Sequence, residues 1–178
     1  TLKRAMPLLA GGVVGVPFGV AALSLVPAAV LRSSIGLFLV GYALFQLGGW
    51  TRLQVGAWGG RKADAAVGLG GGFLGGFAGL SAPLPVIWLQ LRGLPAGEQR
   101  AVYQPFNLLI LALASLGMAV SGQIDAQLVA VAAAALPVTL AGAWIGARVY
   151  RRFSEESFRR IVLALLLASG LILVAQAF

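Results

Sequence analysis

The sequence predicts an all-α polytopic membrane protein, and three observations carry that prediction. Hydrophobic residues make up 60% of the chain and charged residues only 10%, whereas a soluble domain carries about 25% charged residues. The mean hydropathy of +0.94 is spread over six apolar stretches, too many to hide in the single core that a water-soluble domain of 178 residues can build. Finally, the basic residues stand in short clusters at the ends of those stretches, where membrane topology needs them.

The same distribution bears on the formal charge of +8. A nucleic-acid binder concentrates Lys and Arg on one face or tail, and that pattern is absent, so no nucleic-acid partner is expected. Cys and His are missing altogether, which removes disulfides, thiolate chemistry and the usual zinc and copper ligand sets. No metal and no cofactor is expected.

A spanning helix needs about 20 residues at 1.5 Å each. The first stretch runs from Met6 to Val26 and carries Gly11, Gly15 and Gly19 in one i, i+4, i+8 row that lets another helix approach closely. It follows Lys3-Arg4, but it is too long for a signal peptide and lacks a clear small-residue cleavage pattern. Pro27 and Arg32 mark a turn, and Ser34 to Trp50 forms the second stretch. A polar connection over residues 51–64 follows, with Asp64 at a predicted helix N-cap.

The third stretch, Ala65 to Leu91, is different. It holds seven glycines between Gly68 and Gly79, followed by Pro83 and Pro85, so no ordinary straight helix is expected there. Its first arm, Ala65 to Leu80, would be roughly 24 Å long as a helix, short of the roughly 30 Å hydrocarbon core. Ser81 to Pro85 then interrupts it. The fourth stretch, Ala101 to Val120, the fifth, Ala126 to Val149, and the last, Ile161 to Phe178, read as plainer membrane helix. Between the last two lies a charged link whose Ser154-Glu155-Glu156-Ser157 core resembles a short interfacial helix start.

Charge decides how the third stretch sits. If it spans once, the basic residues divide five against eight. If it dips in and returns, they divide twelve against one, with only Arg32 opposite, as the positive-inside rule requires. A re-entrant hairpin is therefore expected, with about five spanning helices around it. Pro7, Gly11, Gly15, Arg32, Gly41 and Gln46 also recur in order as Pro137, Gly142, Gly146, Arg159, Gly170 and Gln176. This drifting match suggests inverted repeats, a transporter architecture. Residues 1–50 would be the tail of a first repeat and 65–178 a whole second one. A chain that opens at Thr1 is then expected to be N-terminally incomplete, with roughly 70 residues of the first repeat, including its own broken element, upstream.

The break carries the chemistry. Proline removes backbone donors and disfavours helix at the residue before it, and unpaired backbone groups facing lipid cost several kcal/mol each. The groups at Gly79, Ser81, Ala82 and Pro83 are therefore expected to face protein, water or a ligand. A helix starting after the break would offer N–H groups and a partial positive charge to a small anion. Gln104 and Asn107, three apart on one helical face, can donate hydrogen bonds to an oxyanion or join helices. Arg100 can hold an anion at the mouth or act as a topology anchor.

Gly70, Gly72 and Gly75 spell G-x-G-x-x-G, but no strand precedes them and no acidic residue follows at the right distance, so a dinucleotide site is not expected. Rows Gly68-Gly72-Gly76 and Gly71-Gly75-Gly79 suit helix packing equally well. Ser81 has no His or Lys partner to activate it, and the adjacent carboxylates Glu155 and Glu156 lie in the charged link, so catalysis finds no support.

With Gly68 to Pro85, Arg92-Gly93-Leu94-Pro95, Arg100-Ala101 and the Gly146-Ala147-Arg148 to Gly170 segment in view, the sequence resembles the TauE/SafE family of membrane transporters, the sulfite exporter family. The family's broken-helix motif often reads Gly-x-Gly-Gly-Pro-Pro. This chain has Gly79-Leu80-Ser81-Ala82-Pro83-Leu84 and departs from it at Ser81, Ala82 and Leu84, which bears on substrate more than on membership. The resemblance implies an inner-membrane permease for a small anion, commonly a sulfur oxyanion or organosulfonate, with basic loops cytoplasmic. Its partners would be that anion and the lipid bilayer, with a homo-oligomer left open. The competing reading is a structural or assembly membrane protein whose glycines only pack helices.

Overall fold

The computed structural model describes residues 2–50, 54–56 and 58–176. The described residues form seven α-helices: α1 (Leu2–Leu25), α2 (Ala28–Leu47), α3 (Gly60–Ala78), α4 (Pro83–Leu91), α5 (Ala96–Val120), α6 (Ala126–Tyr150) and α7 (Glu155–Ala175). Five of them, α1, α2, α5, α6 and α7, are long and apolar enough to cross a membrane. Helices α3 and α4 are the two arms of the broken element. Arg52 and Phe178 lie outside the described residues, as do the side chains of Lys3 and Arg4.

Glycine sets the central contact. Gly11, Gly15 and Gly19 of α1 and Gly68, Gly72 and Gly76 of α3 interleave so closely that a Cβ on any of them would overlap backbone atoms of the other helix. Gly11 meets Ala65, Gly15 meets Leu69 and Gly19 meets Phe73. Residue numbers rise together, so α1 and α3 run parallel. With no side chain between them, the two backbones gain dispersion contacts that lipid tails cannot match.

The next contacts run the other way. Gly70 faces Leu84, and Gly71 faces Pro85, while Trp88 bonds Asp64 and Arg92 pairs with Asp64. Thus α4 is antiparallel to α3 and brings the chain back to the face it left, which is the re-entrant hairpin expected from the charge count. Nine residues of α4 make about 14 Å of helix, too short to span. Helix α5 then runs parallel to α1, with Phe106 and Ile110 against Gly12 and Val20 against Gly117. Phe106 and Ile110 are fully buried and, with Leu8, Val16, Val20, Trp88 and Val102, form the core shared by α1, α4 and α5.

Helices α2 and α7 form a second body. Gly36 lies against Gly170 and Val174, while Gly170 also meets Leu39 and Val40, so the numbers run in opposite senses and this pair is antiparallel. Helix α6 has no buried residue.

Several helix starts lie upstream of the expected ones, because flanking polar residues join the first turns. Asp64 is the clearest correction. It is not an N-cap but the fifth residue of α3, whose cap is Gly59, and its carboxylate reaches across to α4. Arg32 lies inside α2 and not in a turn before it. The Ser154 to Ser157 segment is the start of α7 itself, not a separate interfacial helix: Ser154 Oγ accepts the Ser157 N–H at 3.3 Å.

Candidate functional site

Helix α3 ends because Gly79 takes φ +70°, a left-handed conformation that only glycine adopts without strain. The Leu80 N–H then closes back on the Leu74 carbonyl at 3.1 Å, a Schellman-type stop. Helix α4 restarts with Pro83 at its first position, where the missing N–H costs nothing. The interruption is thus residues 79–82, shorter than the expected Ser81 to Pro85.

The same prolines change what this helix start offers. Pro83 and Pro85 have no N–H, and the Val86 N–H is taken by the Ala82 carbonyl at 3.0 Å. Leu84 is the only one of the first three residues with a donor, so the expected fan of free N–H groups is reduced to little. Conversely, the Gly79 and Ser81 carbonyls lose the helical donors that residues 83 and 85 would otherwise supply.

Ser81 is fully buried, and its hydroxyl donates a hydrogen bond to Asn107 Oδ1. Asn107 is the twelfth of the 25 residues of α5, so the hydrogen bond that pins the break sits near mid-depth of a spanning helix. Among the described residues, the Asn107 amide NH2 has no hydrogen-bond partner. Asn107 also lines a shallow groove of about 350 Å³ on α5 with Tyr103, Gln104, Leu111 and Ser115. Gln104 is exposed there.

The site residues expected from sequence therefore separate into three places. Ser81 and Asn107 are joined, and Gln104 shares the Asn107 groove. Gly79, Ala82 and Pro83 form the hairpin tip, with Gly79 exposed. Arg100 lies two helical turns from Asn107 and lines a different cavity, of about 480 Å³, with Gln90, Tyr103 and Arg159.

Sequence reasoning missed the closure of the hairpin mouth. Arg92 Nη2 lies 2.8 Å from Asp64 Oδ1 and donates to the Gly60 carbonyl at 2.9 Å. Trp88 Nε1 donates to the same carboxylate oxygen at 2.7 Å, and the guanidinium stands 5.0 Å from the centre of the Trp88 ring. The Val55 N–H adds a bond to the Leu91 carbonyl at 2.8 Å. The signal was available, since one acid and one base bracket the broken element, but both were read only for capping and topology.

A second missed feature is a polar joint between the two bodies. Gln46 of α2, 4% exposed, donates through Nε2 to Gln90 Oε1 of α4 at 3.0 Å and to Tyr42 Oη at 3.3 Å. Its own Oε1 is buried and has no partner among the described residues.

The family model described as Sulfite exporter TauE/SafE matches residues 1–173. No curated protein and no solved structure matches the chain.

Proposed function

Since the chain belongs to the sulfite exporter TauE/SafE family, we infer that it is a membrane permease for a small anion, a sulfur oxyanion or an organosulfonate. The family is one of transporters, and the helices are those of a multi-pass membrane protein. The finer reading is that the anion passes the interrupted hairpin by alternating access, from an inner membrane whose cytoplasmic face carries the basic loops.

One observation supports this above the others: a broken hairpin with its tip held by a buried Ser81 to Asn107 hydrogen bond at mid-depth. Irregular backbone at that depth is tolerated where it is buried in protein or lines a cavity, and discontinuous helices at the midplane are where transporters bind substrate. The Asn107 amide, with Oδ1 held by Ser81, keeps two N–H donors. Gln104 adds neutral donors in the same groove. Neutral donors suit an ion that must leave again, because a fixed full charge at this depth would hold it too tightly.

Proteoliposomes of the full-length protein are expected to move labelled sulfite or a sulfonate, and no flux across a panel of such anions would overturn the reading. Gly79→Leu or Pro83→Leu is expected to lower flux while the protein stays inserted. Unchanged flux in both would move the site away from the hairpin tip. A structural or assembly role would instead give stable partners in pull-downs and no anion-dependent thermal shift.

A further inference from the structure

The helices divide into a body of α1, α3, α4 and α5 and a pair, α2 and α7, with the Gln46 to Gln90 hydrogen bond among the few direct ties between them. On the basic face a cavity of about 480 Å³ opens across this division. One wall is α4 and α5, with Gln90, Gln99, Arg100 and Tyr103, and the other is α7, with Glu156 and Arg159.

Its chemistry is one-sided. Arg100 and Arg159 approach from opposite bodies. Among the described residues of the lining the one carboxylate is Glu156, and it is engaged by Arg160 at 2.7 Å. Gln90 accepts from Gln46 through Oε1, so its amide NH2 remains as a donor, and the Tyr103 hydroxyl is a further one. Gln99 is the exception, since its Nε2 already donates to the Leu94 carbonyl at 2.7 Å. Two guanidiniums, each a fork of donors able to bind an oxyanion through two N–H groups, with neutral donors beside them, make a lining suited to an oxyanion.

We propose that this cavity is an oxyanion-binding site, separate from the Asn107 groove, in which one anion is held by Arg100 of the first body and Arg159 of the second. A ligand bridging two bodies favours the arrangement that brings them together, because only there does it touch both. Its use as the first station of the transported anion rests on the transport reading above, whereas oxyanion binding itself does not. The oxyanion is either free in solution or the phosphate of an anionic lipid headgroup.

The test uses the full-length protein in nanodiscs of neutral phosphatidylcholine, titrated with sulfate and followed by thermal shift. A second set of discs contains phosphatidylglycerol and no sulfate. For a free anion, sulfate raises Tm in neutral discs. Arg100→Gln and Arg159→Gln each then raise the half-saturating concentration about tenfold, the equivalent of one charge-assisted hydrogen bond. Arg159→Lys, which keeps the charge but loses the fork, retains only part of the binding, and Arg151→Gln, outside the cavity, retains all of it. For a lipid headgroup, only the phosphatidylglycerol discs raise Tm, and the same two glutamine variants lose that rise.

Glutamine variants that match the wild type in both sets overturn the proposal. Flux separates it from the transport reading. Protein that transports, but whose anion response ignores both arginines, keeps that reading and loses this site. Protein that binds through them without flux does the reverse.

Discussion

Helices α1 and α6 carry the same kind of small-residue row, yet they meet opposite fates. Gly11, Gly15 and Gly19 of α1 lie in backbone contact with α3, while Gly142 and Gly146 of α6 have, among the described residues, no neighbouring heavy atom within 4 Å of where a Cβ would stand. A glycine row permits close approach but does not supply a partner. The partner of α1 is a second row, Gly68, Gly72 and Gly76, with the same spacing and on a parallel helix. The informative sequence feature is therefore a pair of matching rows.

The strongest way to break this comparison is to fill both rows. Gly72→Leu forces a side chain into the Gly12 carbonyl, and neither backbone can yield without separating the helices. We expect a loss of about 3 kcal/mol or more, read as loss of monodisperse protein or as a large drop in Tm in detergent. Gly146→Leu on α6 meets open space and is expected to change stability by less than about 0.5 kcal/mol. Equal effects would mean that α6 is packed against a partner in the working protein.

Opening the hairpin mouth ranks next. Arg92→Ala removes the partner of Asp64 where both side chains are under one-fifth exposed, at 17% and 18%, and takes away the cation above Trp88. The loss is expected to be about 2 kcal/mol. Asp64→Ala should cost a similar amount, and the double variant less than the sum of the two, because the pair acts as a unit. An additive result would remove the ion pair as the clasp of the hairpin.

At the tip, Ser81→Ala leaves Asn107 without its donor, and Asn107→Ala leaves a buried hydroxyl unpaired. Each is expected to cost about 1 to 2 kcal/mol in thermal unfolding. If the groove handles anion, the two diverge in transport. Ser81→Ala lowers flux modestly by loosening Asn107, whereas Asn107→Ala lowers it strongly by removing the donors.

How much of this was legible follows from the range of each signal. The spans and the hairpin were readable because hydropathy, proline and the positive-inside bias are local or additive along the chain. Of the basic residues counted on one face, Arg61 and Lys62 lie at the start of α3, Arg92 at the end of α4, Arg100 near the start of α5, Arg148 near the end of α6, and Arg159 and Arg160 near the start of α7. The pairing of glycine rows was only half readable, since spacing tells which residues share a face but not which helix faces them. The Asp64 to Arg92 pair, 28 positions apart, and the Gln46 to Gln90 pair, 44 apart, join elements whose contact depends on the return of the chain at Gly79. Asp64 was misread because Asp before an apolar run is a good cap signal, and nothing local reveals that the helix has already begun at Gly60.

A smaller effect than those at the hairpin tests the joint between the two bodies. Gln46 gains two hydrogen bonds through Nε2 but leaves Oε1 buried and, among the described residues, unpaired, so its favourable and unfavourable terms nearly cancel. Gln46→Met keeps the volume, removes the orphan acceptor and frees Gln90 Oε1. Its stability is expected to remain within about 1 kcal/mol of the original. A joint that contributes little stability is suited to being remade as the two bodies shift, whereas the glycine rows of α1 and α3 are not. If Gln46→Met were as damaging as Gly72→Leu, the α2 and α7 pair would belong to one rigid unit with the hairpin body, and the division between the bodies would be lost.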